Sequence, residues 1–328
     1  PPPGIAAGAL RAIARQYRPG QCERDDDMRW RGGRRSDNVE DRRGQRAGLP
    51  ALGRGGPSLL PLVLRLTRSR GGWLVLLAGA AFVLLSGADL GTLLGLVTGS
   101  APPAREQPLT ESAAERERLE FMAVVLGDTE DTWQALFAAA GQRYQEPRLV
   151  VFRDATRSAC GLGQSAMGPF YCPADQNVYI DLAFFDELAQ RFGAPGDFAQ
   201  AYVLAHEVGH HVQTLLGISA RNHAARQRAS AAEANRLSVR QELQADCFAG
   251  VWAHHANRAR SILEQGDVEE ALGAASAIGD DRLQREVQGQ VVPDSFTHGT
   301  SAQRVRWFRT GLDHGTLARC DTFSAATL

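Results

Sequence analysis

Apolar positions recur with helical spacing through most of the second half of the chain. The densest run, residues 198–212, reads Phe-Ala-Gln-Ala-Tyr-Val-Leu-Ala-His-Glu-Val-Gly-His-His-Val. A segment apolar on nearly every face is a buried helix. Asp197 suits its N-cap and Gly217 its C′ position, so the pattern predicts a well-bounded helix. Residues 111–126, 131–140, 222–237, 237–256 and 267–278 also read as helices. A last one, 301–312, is amphipathic, with Val305, Trp307, Phe308 and Leu312 facing the core. Residues 148–152 and 177–181 read as strands. The second lies just before the 198–212 helix, either as an ordinary internal strand or as one that pairs with an extended substrate. The fold class is therefore mostly α (α+β), with a small sheet.

The first hundred residues differ in pattern. Residues 71–88 carry no charge and would span about 27 Å as a helix, close to the ~30 Å of a hydrocarbon core. Asp89 interrupts, and 90–97 is apolar again. Arg68, Arg70 and Trp73 flank this stretch, which predicts one transmembrane helix at 71–97 with its basic side in the cytoplasm. A buried core helix is the alternative. A cleaved signal peptide fits less well, because the basic region ahead of it is too long. The expected organisation is a basic Gly/Arg-rich disordered cytoplasmic segment at 28–70, a linker at 98–109, a main domain at 110–323 and a tail at 324–328. The positive-inside rule places that domain on the periplasmic or extracellular side of a bacterial cytoplasmic membrane. Thr110 or Ser112 suits a cap at its entry. Residues 1–27 are of low complexity, and Met28 opens a more coherent stretch, so 1–27 reads as a non-native upstream extension.

Across 328 residues the net charge is −1, which offers no general attraction for nucleic acid. All basic charge is arginine, and it crowds into 29–70, where only Asp37, Glu40 and Asp41 oppose it. No aromatic interleaving supports nucleic-acid binding there, and none is expected. Of the five cysteines, Cys160, Cys172, Cys247 and Cys320 fall on the predicted outer side, where disulfides persist. The favoured pairs are Cys160–Cys172 and Cys247–Cys320, with a buried free thiol at Cys247 as the alternative. No C-x-x-C supports a structural zinc site.

The candidate chemistry is His206-Glu207-Val208-Gly209-His210, an H-E-x-x-H motif inside the apolar helix. Two imidazoles four residues apart share one helical face and can reach one metal ion. Glu207 is offset by about 100°, beside the metal, where it can act on a bound water as general base. A catalytic zinc takes three protein ligands and keeps one position open. Glu242-Leu243-Gln244-Ala245-Asp246 supplies the third. Glu242 and Asp246 share a helical face; Glu242 is assigned to the metal and Asp246 to the free ring N–H of a ligating histidine. His211 lies about 140° from His206 and reads as structural. The other histidines lack motif support.

Four blocks, residues 168–173, 201–213, 242–252 and 296–304, resemble the bacterial neutral zinc metallopeptidases, which are membrane-anchored. The resemblance covers nearly all of 28–323 and implies a Zn2+-dependent peptidase acting on peptides or proteins. A looser similarity reaches the gluzincins and their zincin-like domain, which share H-E-x-x-H followed by E-x-x-x-D and in some members a later T-H-P…R. Here Thr297-His298-Gly299 and Arg304 stand in that place, with Gly for Pro. The similarity implies that His298 donates to the tetrahedral oxyanion while Arg304 holds local structure; a helix-entry histidine bonded to backbone is the alternative. The rival reading of the whole is a proteolytically silent zinc-binding scaffold at the membrane, or an adaptor acting through its basic segment. The intact Glu207 weighs against the scaffold. The pattern specifies no oligomeric state.

Overall fold

The computed structural model describes residues 28–45, 109–164, 168–282, 284 and 292–328. Its strands are β1 (Val39–Asp41), β2 (Arg148–Phe152), β3 (Ala155–Ser158), β4 (Gly161–Gln164), β5 (Phe170–Cys172) and β6 (Asn177–Asp181). Its helices are α1 (Ala113–Ala139), α2 (Phe184–Gln190), α3 (Asp197–Leu215), α4 (Ile218–Arg226), α5 (Ala231–Arg260), α6 (Asp267–Ala277) and α7 (Ser301–His314). Short 3-10 turns follow at Pro293–Ser295 and Leu317–Cys320. The described residues are mostly helical, as the pattern predicts.

The core lies where α3 meets α5 and α5 meets α7. α3 is buried on nearly all faces, including Phe198, Tyr202, Leu204 and Val208. α5 buries the stretch from Leu243 to Ala253. α5 and α7 touch backbone to backbone: a Cβ on Gly250 would overlap the Phe308 carbonyl oxygen, and one on Gly311 the Cys247 carbonyl oxygen. Only paired glycines permit that approach. Thr300 caps α7 in a capping box with Gln303, a strong start signal. Trp307 and Phe308 are buried as expected, with Val305 and Leu312 packed at the margin.

One sheet has the order β1-β2-β6-β5. β1, β2 and β6 are parallel, and β5 is antiparallel to β6. β6 is thus flanked by β2 along its whole length and by β5 at Asn177–Tyr179, so 177–181 is an internal strand. β3 and β4 form a separate hairpin. Both favoured disulfides are present, Cys160–Cys172 and Cys247–Cys320. In the chain-entropy model they stabilise the fold by about 3 and about 4 kcal/mol.

Several sequence expectations change. Residues 111–126 and 131–140 are one helix, α1, not two. Gly127, between the two predicted helices, is a contact point: a Cβ there would overlap the Arg34 carbonyl oxygen. Ser112 is its N-cap and accepts from the Glu115 amide. Residues 222–237 are divided between α4 and α5, with Ser230 capping the second. Asp197 is the first residue of α3, not its N-cap; Gly196 takes that place. Gly217 follows the helix with φ 69°, the left-handed geometry expected of C′.

The largest correction concerns residues 28–45, expected within a disordered segment. They fold onto the main body: β1 pairs with β2 in the register Val39↔Leu149, Glu40↔Val150, Asp41↔Val151. Their arginines are held by acidic partners, on α1 for Arg31, Arg34 and Arg35, so polar contacts replace the apolar periodicity that would have revealed them. The tail at 324–328 also docks, with Arg240 donating to the carbonyl oxygens of Thr322 and, at 3.1 Å, Ala325. Among the described residues, no helix is long and apolar enough to cross a membrane. The predicted span at 71–97, the extension at 1–27 and the linker up to residue 108 lie outside the described residues.

Candidate metal centre

The H-E-x-x-H segment sits in the middle of α3 and Glu242 in the middle of α5. The crossing of these helices brings three donor atoms together. His206 Nε2 and His210 Nε2 each lie 3.3 Å from Glu242 Oε2, and one donor atom from each residue falls within 4.8 Å of the others. Both imidazoles turn Nε2 inward because Nδ1 is engaged elsewhere. His206 Nδ1 lies 2.7 Å from Asp246 Oδ1, and His210 Nδ1 lies 2.9 Å from Gln213 Oε1. Such outer partners fix the tautomer that leaves Nε2 free for a metal.

Asp246 is the hub. It has no solvent exposure, and it accepts from four donors. Oδ1 receives His206 Nδ1, the Tyr202 hydroxyl at 2.6 Å and Arg304 Nη2 at 2.8 Å; Oδ2 receives Arg304 Nε at 2.9 Å. Burial acts to raise this carboxyl, but Arg304 and then His206 override it and hold it well below the usual range. Arg304 is itself fully enclosed; desolvation opposes its charge, and Asp246 more than restores it. The glycine-mediated contact of α5 with α7 delivers Arg304 to Asp246.

The donor set fits a cation. Burial disfavours protonation of His206, yet Asp246 and then Glu242 raise it to about 10. His210 is raised in the same way by Glu242 against desolvation. Glu242 is held well below the ordinary carboxylate range: burial opposes its charge, while His210 and His206 favour it. The carboxylates thus call for positive charge between the two Nε2 atoms. Two imidazoles and one carboxylate are a donor set that zinc takes in catalytic sites.

Glu207, between the two histidines in sequence, is buried, and no side chain among the described residues hydrogen-bonds its carboxylate. His298 stands in the loop before α7. Its Nδ1 lies 3.1 Å from Asp280 Oδ1, and Asp280 Oδ2 accepts the backbone N–H groups of Thr297, His298 and Gly299 at 2.7, 2.6 and 3.0 Å. The hydrogen bond His298 donates to Asp280 raises the His298 pKa against desolvation, and the Glu242 charge adds to it, although the His298 side chain is 53% exposed.

The structure brings together His206, His210, Glu242, Asp246 and Arg304, while the contacts of His298 are with Asp280 and Thr297. His211 is structural, as read: Nδ1 lies 3.1 Å from the Tyr171 hydroxyl, and Nε2 2.6 Å from the Gln145 carbonyl oxygen. Sequence reasoning missed Tyr202, Gln213 and Asp280. Tyr202 is four residues before His206 and Gln213 three after His210, so helical spacing carried a signal for both. Arg304 was read as holding local structure, and its actual partner, Asp246, was not foreseen. A second acidic group, Asp197, Asp267 and Glu270, brings carboxylate oxygens within 4.8 Å of one another. Burial and then the Asp197 charge raise Glu270 to about 7.

The uncharacterized protein YpfJ of Escherichia coli (strain K12) is 54% identical over 296 residues, covering 90% of this chain and 99% of that protein. The uncharacterized protein Rv2575 of Mycobacterium tuberculosis (strain ATCC 25618 / H37Rv) is 43% identical over 216 residues, covering 62% of this chain and 71% of that protein. No solved structure matches the chain. The family described as "putative neutral zinc metallopeptidase" matches residues 28–323, and this chain belongs to that family.

Proposed function

We propose that the protein hydrolyses peptide bonds, with His206, His210 and Glu242 holding a zinc ion and Glu207 moving the proton. The observation that carries this reading is the convergence of three donor atoms within 4.8 Å beside a buried glutamate that no described side chain engages. When bound there, zinc supplies Lewis acidity toward a carbonyl oxygen and makes water a better nucleophile at neutral pH. Glu207 takes a proton from the attacking water and returns it to the leaving amine, the two duties of a general base and acid. Tyr202, Asp246 and Arg304 do not touch substrate; they lock the His206 ring. With Nδ1–H donating to Asp280, which favours the protonated ring, His298 in its imidazolium form carries a second proton on Nε2 to donate to the oxyanion of the tetrahedral intermediate. A donor of that kind typically stabilises the transition state by roughly 3 kcal/mol.

The test uses the full chain, assayed for zinc content and for hydrolysis of unfolded casein. Wild type is expected to carry one zinc per chain and to cleave. Glu242→Ala loses zinc and activity together. Glu207→Gln keeps zinc and loses activity by roughly 10²–10⁴-fold. Undiminished cleavage by Glu207→Gln would overturn the role of Glu207. A wild type that binds zinc and cleaves no peptide bond would return the protein to the scaffold reading.

A further inference from the structure

Residues 28–45 and 109–328 form one folded body, although an apolar run lies between them in sequence. β1 is hydrogen-bonded to β2 in parallel register. Met28 is buried, and its backbone N–H donates to Asp197 Oδ1 at 3.2 Å, on the first turn of α3. The Arg29 amide donates to the Ile262 carbonyl oxygen at 2.9 Å, just beyond α5. Arg34, Ser36 and Asn38 converge on Glu130 of α1, at 2.7, 2.6 and 2.9 Å. The side chain of Glu130 is 1% exposed.

The place where the chain leaves this body is also where it returns. The guanidinium of Arg43 is 1% exposed and is shared by Asp41, Glu111 and Glu115, at 2.7, 2.8 and 3.3 Å. Adjacent strands lie about 4.8 Å apart, whereas a hydrocarbon core is about 30 Å thick. No strand can pair with a neighbour across that distance. We propose that residues 28–45 lie on the same side of any membrane as the described residues from 109 onward. A cytoplasmic amino-terminal segment joined by one crossing to an outer catalytic domain is incompatible with this sheet.

Six of the eleven arginines in residues 29–70 are committed to the fold, while Arg68 and Arg70, beside the apolar run, lie outside the described residues. Arg29 pairs with Glu264, Arg31 with Glu117, Arg35 with Glu120 and Arg42 with Glu40, besides Arg34 and Arg43 above. An arginine count signals orientation only where the side chains stay beside the membrane. These partners are spread over α1 and the residues just before it, β1, and the segment just beyond α5.

Arg31 and Thr327 are both exposed and serve as reporters. In a Cys22→Ser background, Arg31→Cys and Thr327→Cys are made singly in the full chain and labelled in intact spheroplasts with a membrane-impermeant maleimide, before and after permeabilisation. Label taken by the parent is subtracted. The proposal expects both positions to respond alike, either both open in intact spheroplasts or both shielded until permeabilisation. One open and one shielded would overturn it. An Arg31→Cys/Glu117→Cys chain gives a second reading, since those side chains form an exposed ion pair. A short bis-maleimide should link them within one chain in native membranes; failure to link, with both thiols titratable after denaturation, would also overturn it.

Discussion

Asp246→Asn changes one atom's chemistry and nothing of the side chain's shape, so its effect can be worked out atom by atom. If the amide oxygen takes the Oδ1 place, it still accepts from His206, Tyr202 and Arg304 Nη2, but its NH2 group then faces the Arg304 Nε–H, donor against donor. If it flips, the NH2 group faces His206 Nδ1 and the Tyr202 hydroxyl instead. Either way Arg304, which is 2% exposed, keeps a buried charge without a counter-charge. Breaking a buried pair in this way costs about 3–5 kcal/mol. Loss of the anchor on His206 should weaken zinc binding roughly 10–100-fold. The sign with pH follows from the lowered pKa of Asp246. Its contribution is fully present above the unfolded value of about 3.9 and is lost as pH falls through the folded one. The difference between wild type and variant in urea unfolding should therefore be large at neutral pH and shrink in acid. Zinc affinity is read by competition with a chelator. A variant as stable as wild type at neutral pH would refute the hub. One that lost stability but bound zinc with unchanged affinity would refute the orienting role toward His206.

Three further outcomes are expected. The zinc-free site holds protons, with His206 raised to about 10 and His210 raised as well, so loading zinc at neutral pH must expel roughly one proton or more. Calorimetry in buffers of different ionisation enthalpy measures that release, and affinity should rise with pH. Asp280→Asn removes the main cause of the raised His298 pKa, so the protonated donor should be lost at lower pH. The alkaline limb of kcat/KM then moves down while zinc content stays; an unmoved limb would exclude His298 as that donor. A chain beginning at residue 109 retains every metal ligand, yet is expected to bind no zinc and to unfold at much lower urea than the full chain, as followed by tryptophan fluorescence.

The ligands were legible because their spacing is local. His206 with His210, and Glu242 with Asp246, are each one helical turn apart, and a turn can be read from a few residues of sequence. Tyr202 and Gln213 obey the same spacing, but a tyrosine within an apolar run reads as core, and a glutamine carries little motif signal. Asp280 was illegible for another reason. Its function exists only when the 296–300 loop folds back over it, and no short-range pattern announces that return. Residues 28–45 escaped in a third way. Their cohesion comes from ion pairs and strand pairing with residues far along the chain, such as Arg31 with Glu117, 86 positions away. The continuity of α1 through Gly127 was hidden for the same reason: the backbone packed against that glycine is that of Arg34.

These long-range parts explain how two helices that supply all three ligands are kept in register. α3 is fixed at its start, where Asp197 accepts from Met28. α5 is fixed near its end, where Arg260 meets Asp128 of α1 and Arg29 binds just beyond. From the other side, Cys247 is bonded to Cys320, and Arg304 reaches Asp246 from α7. Exposed ion pairs contribute little individually, but Glu130 is not exposed. Removing Arg34, Ser36 and Asn38 would leave it a buried carboxylate without a counter-charge, a loss of about 3–5 kcal/mol, against a total stability of about 5–15 kcal/mol for a typical domain. The proposed metal site, whose candidate ligands all lie beyond residue 200, is therefore expected to depend on residues 28–45 for the alignment of the helices that carry it.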